Sequence, residues 1–117
     1  MKSPTSDPLS PLSAATFHVL LALAAQDLHG YGIIQEITKI SGGKYRIGPG
    51  TLYDNLKKLM NCGWVEDFDE ENLSGDDRRR MYRITGDGRA VLKADVIRMK
   101  KILHVADGRL TRERSKA

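Results

Sequence analysis

A chain of 117 residues with 40% apolar and 29% charged side chains has room for one small core, and its composition is neither disordered nor fibrous. Its 19 lysines and arginines against 15 aspartates and glutamates leave a formal charge of +4, which favours polyanionic partners. One cysteine, Cys62, excludes an internal disulfide framework, no Cys/His cluster suggests a metal, and the apolar run at residues 19–25 is too short to span a membrane and lacks the basic flank of a signal peptide.

The expectation is a cytoplasmic protein without membrane association, metal or cofactor. Residues 1–8, rich in Ser and Pro, read as an arm. Ser10-Pro11 reads as a helix start, and residues 12–25 are apolar nearly all round, the pattern of a buried helix. A second helix is expected over residues 31–40, where Ile33, Ile34, Ile37 and Ile40 recur at helical spacing before Ser41-Gly42-Gly43 stops it. Gly48-Pro49-Gly50 opens a third helix to about Asn61, with Leu52, Leu56, Leu59 and Met60 inward and Cys62-Gly63 at its end.

The period then changes. Residues 64–68 and 81–85 alternate as strands around a loop at 72–77, which makes a hairpin. After Thr85-Gly86-Asp87-Gly88 a last helix runs to about Gly108. The expected fold class is therefore mainly α (α+β): a winged helix-turn-helix over residues 9–85, an additional C-terminal dimerisation helix over 86–110, and a basic tail over 111–117. In the last helix Leu92, Val96, Met99, Leu103, Ala106 and Leu110 follow a heptad seam, widened by Val91, Ile102 and Val105. That seam predicts a symmetric homodimer; the alternative is a helix folded back on its own chain.

Charge is uneven. Residues 1–77 hold six basic and eleven acidic side chains, whereas residues 78–117 hold thirteen basic and four acidic. Seven acids and no base occupy residues 66–77, and Arg78, Arg79 and Arg80 follow at once. In a helix-turn-helix the second helix enters the major groove while the first crosses the backbone. Thr51 and Asn55 are then expected to reach phosphates or base edges, and Tyr53 a phosphate. Lys44, Lys57 and Lys58 supply sequence-neutral attraction. Arg78, Arg79 and Arg80 form a wing that Arg83 extends, or else merely a solvated loop that the acids neutralise.

Four strings in order, HGYGIIQEI (29–37), GPGTLY (48–53), GWVE (63–66) and RRRMYRITGDG (78–88), resemble the PadR family of bacterial transcriptional regulators over roughly residues 9–103. The resemblance implies a winged-helix fold, a homodimer formed through the C-terminal helix with help from the first, and repression by binding operator DNA. Carried over by position, Tyr31 is implied to touch the DNA backbone. Pro49, Gly50, Thr51 and Tyr53 are implied to begin the recognition helix, and Arg78, Arg79 and Arg80 to form the basic end of the wing. One short C-terminal helix resembles the small subclass, some of whose members bind flat aromatic or cationic compounds at the dimer interface. No residue here names such an effector, and Trp64 reads as core. Gly48 stands where many members have Ser, and Glu70, Glu71, Asp76 and Asp77 are expected to hold the wing off the duplex.

Other functions find less support. His18, His29 and His104 have no carboxylate at ligand spacing, and no Ser or Cys motif surrounds a base, so no catalytic residue is assigned. Gly48-x-Gly50 lacks the lysine of a phosphate-binding loop. His29 is expected to cap or pack before the second helix, and Cys62 to be a small buried residue. The competing reading is a winged-helix module that takes a different protein on its heptad helix.

Overall fold

Ser13, not Ser10-Pro11, begins the first helix. Its Oγ accepts from the Thr16 amide at 3.1 Å, so the helix starts at Ala14 and Pro11 precedes it. The computed structural model describes residues 11–71 and 78–116; the expected arm, Ser10 and the 72–77 loop lie outside the described residues. The elements are α1 (Ala14–Ala25), β1 (Leu28–His29), α2 (Gly30–Ile40), α3 (Pro49–Asn61), β2 (Val65–Glu71), β3 (Arg78–Ile84) and α4 (Gly86–Lys116). This is the expected winged helix-turn-helix with a C-terminal helix.

The helices end where glycines let the backbone turn left-handed. Cys62 caps α3, Gly63 has φ +79, its amide reaches the Met60 carbonyl at 3.0 Å, and the Trp64 amide reaches Leu59 at 2.9 Å. These paired bonds satisfy the last carbonyls, and α2 ends the same way through Gly42 and Gly43. The inward stripes meet as the sequence spacing requires. Leu20 and Leu23 of α1, Ile33 and Ile37 of α2, and Leu52 and Leu56 of α3 are all fully buried in one cluster. Each such side chain contributes about 1.5–3 kcal/mol relative to exposure. The expectation that α1 is buried all round is met on one side only. Val19, Leu20, Ala22 and Leu23 are buried, while Phe17, Leu21 and Ala24 stay half-exposed.

The hairpin is longer than expected and not two-stranded. Two residues, Leu28 and His29, pair with Tyr82 and Met81, which makes an antiparallel sheet of order β1-β3-β2. Strands β2 and β3 run in register from Val65↔Ile84 out to Glu71↔Arg78, so Arg78, Arg79 and Arg80 belong to a strand of the wing rather than to a solvated loop.

Helix α4 also exceeds its expected length. It covers 31 residues to Lys116, so the stretch after residue 110 continues the helix and is not a tail. Thr85 roots it. Its hydroxyl donates to the Gly63 carbonyl at 2.6 Å and accepts the Gly88 amide at 3.0 Å, joining the end of α3 to the start of α4. Farther along, Arg89 donates to the Ala24 carbonyl at the C-terminal end of α1 (2.9 Å). Asp95, only 3% exposed, accepts from the Leu12 amide (3.4 Å) and from Arg98 (2.9 Å).

Candidate nucleic-acid interface

Helices α2 and α3 bury one face each and turn the other to solvent. On α2 the exposed side carries Tyr31, at 63% exposure. On α3 it carries Pro49, Gly50, Thr51, Tyr53, Lys57 and Lys58, and Lys44 is exposed in the connection between the two helices. The N-cap of α3 is Gly48, which offers no side-chain cap, so the first amides of that helix keep their hydrogen-bonding capacity toward an anion. Two tyrosines meet near the sheet. Tyr53 lies across the N-terminus of α2, where a Cβ on Gly30 would collide with its hydroxyl. Tyr82 lies buried beside it, its pKa pushed up by burial first and by Tyr53 second.

Asn55 does not join the exposed set. Its Nδ2 donates to Thr16 Oγ1 at 3.3 Å, and its Oδ1 is buried without a partner among the described residues. The expectation that Asn55 reaches a base edge is corrected by its position: beside the buried Leu59 on the helix wheel, it faces α1.

The three wing arginines differ in circumstance. Arg79 is exposed, and its register partner is Glu70. The side chain of Arg78 lies outside the described residues. Arg80 is exposed but engaged, with Nη1 donating to Asp67 Oδ2 at 2.7 Å and Nε lying 3.3 Å from Asp69 Oδ1. The hydrogen bond to Asp67 and the charge of Asp69 raise its pKa further above an already high value. Arg83 does not extend the basic patch. It binds Asp27 through Nε and Nη2 (3.2 and 2.9 Å), sits 3.6 Å from Glu66, and covers the Phe68 ring at 4.5 Å. Asp27 was not singled out in the sequence, and the β2–β3 register is the signal that would have paired Glu66, there only part of an acidic run, with Arg83.

The expected dimer seam divides. Leu92 is only 7% exposed and belongs to the chain's own core, and Val96 packs against that core, which corrects their assignment to a seam open to a partner. Met99 and Ala106 are half-exposed, and Leu103 is 62% exposed. Ile97, Ile102, Val105 and Leu110 add to the outer apolar surface.

Other expectations resolve simply. Trp64 is buried in the core. The His29 ring packs over the first turn of α2, 3.2 Å from where a Gly32 Cβ would stand, and makes no cap. Cys62 is half-buried. Among the described residues no group of His, Cys, Asp and Glu could hold a metal, and no helix is long and apolar enough to cross a membrane.

The family model described as transcriptional regulator PadR-like matches residues 19–94. The chain is 35% identical over 83 residues to the transcriptional regulator Rv3488 of Mycobacterium tuberculosis, covering 71% of this chain and 73% of that protein. It is similar in fold to a PadR family transcription regulator from Clostridium difficile R20291, with TM-score 0.72 and 20% identity over 84% of this chain and 99% of the other. It is similar also to Bacillus subtilis PadR, solved in complex with operator DNA, with TM-score 0.64 and 22% identity over 73% of this chain and 49% of that one. At those identities the two structures speak for the fold.

Proposed function

This chain belongs to the PadR-like family of transcriptional regulators, and from that premise we propose that it binds an inverted-repeat operator in duplex DNA as a homodimer and represses transcription. One observation carries the reading: Tyr31, Thr51, Tyr53, Lys57 and Lys58 stand exposed on two helices whose opposite faces fill the core. Such a face has no structural need for two lysines and for a tyrosine as exposed as Tyr31. In a helix-turn-helix it is the face that meets the groove.

In this reading the N-terminal turn of α3, with Pro49, Gly50 and Thr51, enters the major groove. Thr51 reaches a base edge or phosphate, and the uncapped amides add hydrogen bonds to a phosphate. Tyr31 and Tyr53 touch the backbone, while Lys44, Lys57, Lys58 and Arg79 attract it without reading sequence. The partner is a second copy, taken on the outer apolar surface of α4 around Leu103, with Met99, Ala106, Ile102 and Val105, and on the half-exposed side of α1. Val96 and Leu92 brace that surface from within the subunit. Two-fold symmetry then requires half-sites about one helical turn apart. Repression needs only that the seated dimer block the promoter.

Selection from random duplexes followed by footprinting tests this. An inverted repeat protected on both halves is the expected result, and a single asymmetric half-site would overturn the dimeric reading. Salt separates it from a module that binds another protein. Affinity for DNA should fall steeply between low and moderate salt as counterions are released, whereas an apolar contact along α4 should hardly change.

A further inference from the structure

Strand alternation sorts the wing into two faces. Asp67, Asp69, Arg80 and Tyr82 share one, because Asp67 is opposite Tyr82 and Asp69 is opposite Arg80. Tyr82 is buried in the same core as Leu52, Leu56 and Leu59 of α3, so Arg80 stands two residues outward on the face of the sheet that packs toward α3. Arg79 occupies the other face, with Met81, Phe68 and Arg83. Thus, of the two wing arginines whose side chains are described, the one turned to the side of α3 is Arg80, and it is held by two carboxylates, at 2.7 Å (Asp67) and 3.3 Å (Asp69).

We propose that Asp67 and Asp69 form a carboxylate clamp on Arg80 that a DNA phosphate must displace, so that the acids set the protein's affinity for duplex DNA rather than stabilise its fold. The inference rests on the reading that this face meets DNA. Two carboxylates on one guanidinium leave a local charge of −1, which repels phosphates while the clamp is closed. The competition is balanced, since an exposed ion pair is weak and a phosphate accepts the same planar donors. An arginine–phosphate contact carries no sequence information, so opening the clamp changes affinity for all duplexes alike.

The test uses the full chain, a random-sequence duplex as probe, and fluorescence anisotropy at stepped salt. Asp67→Asn with Asp69→Asn should raise affinity about five- to tenfold at low salt and steepen the log–log salt slope by about 0.9, the signature of one additional phosphate contact. Arg80→Gln should cost about twofold in the parent and about five- to tenfold in the double Asn background, because only there is the guanidinium already released. Asp87→Asn with Asp107→Asn, which adds the same charge on α4, should give less than half of the gain. The Asp69→Asn variant, which keeps the shorter Asp67 pair, should give a smaller step in the same direction, and it replaces the double variant if that one melts early. A wild-type protein that binds, with an Asn variant of unchanged affinity and slope, would overturn the clamp alone. So would a tenfold loss from Arg80→Gln in the parent, or an equal gain from the α4 pair. A wild type indifferent to every duplex would overturn the DNA reading and the clamp with it.

Discussion

The Tyr53 hydroxyl rests where a Cβ on Gly30 would stand, so the second helix can carry no side chain at its first residue without displacing this α3 tyrosine. Gly30 is therefore a positioning residue for Tyr53. Replacing Gly30 with Ala raises helix propensity by up to about 1 kcal/mol, which offsets the repacking of a half-exposed ring. The expected outcome of Gly30→Ala is a melting temperature close to wild type and DNA affinity about five- to tenfold lower, the worth of roughly one hydrogen bond. In the Tyr53→Phe background the same substitution should cost little further affinity. Thermal melts and anisotropy titrations on the four proteins check this.

Lys57 and Lys58 lie exposed on the outer face of α3. The pair Lys57→Ala and Lys58→Ala should lower affinity similarly for operator and random duplexes, and flatten the salt slope by about 0.9 for each lysine that neutralises a phosphate. An unchanged slope would remove them from the interface.

The division of α4 gives a sharper test of assembly than the seam read as a unit. Ile102→Glu with Leu103→Glu places two charges on the exposed stretch, and should yield a folded monomer in sedimentation, since unpaired charges buried at an interface cost several kcal/mol. Leu92→Glu should instead unfold the subunit, because that side chain lies in the core. A dimer that survives the first pair would place the interface elsewhere.

Asp95 ties the entry of α1 to the middle of α4. Asp95→Ala leaves the half-buried Arg98 without its carboxylate and the Leu12 amide without its acceptor, at an expected cost of about 1–3 kcal/mol in urea unfolding. Asp95→Asn keeps an acceptor and should cost less.

What the sequence revealed, and what it hid, follows from how local each signal is. Helix α3 was legible to the residue, since Pro49 opens it, Gly63 closes it and the leucine spacing lies between. Strand β1 was invisible: two residues carry no period, and their pairing with β3 is decided by tertiary packing. Ser13 lost to Ser10 because Pro11 is a strong local signal, whereas the cap itself is made to the Thr16 amide by Ser13, two residues after that proline. The exposed positions of α3 were readable from its period except at Asn55, whose direction is set by Thr16 on another helix. The heptad in α4 was real as a spacing, but which of its members face the same chain depends on where α1 begins, since Leu12 meets Asp95 and α4 runs on beyond it. The wing arginines could be counted in the sequence, yet the separate situation of Arg80 required the strand register.

The threonine joint at the base of α4 has a mechanical consequence. Thr85 is bonded both to the loop that ends α3 and to the first turn of a rod of 31 residues. At 1.5 Å per residue that rod is about 46 Å long, and its first third is fixed to the subunit by Arg89, Leu92 and Asp95. Beyond Val96 about 30 Å of helix runs on past the subunit's own core, so its heading is set by how Thr85, Arg89 and Asp95 hold its root.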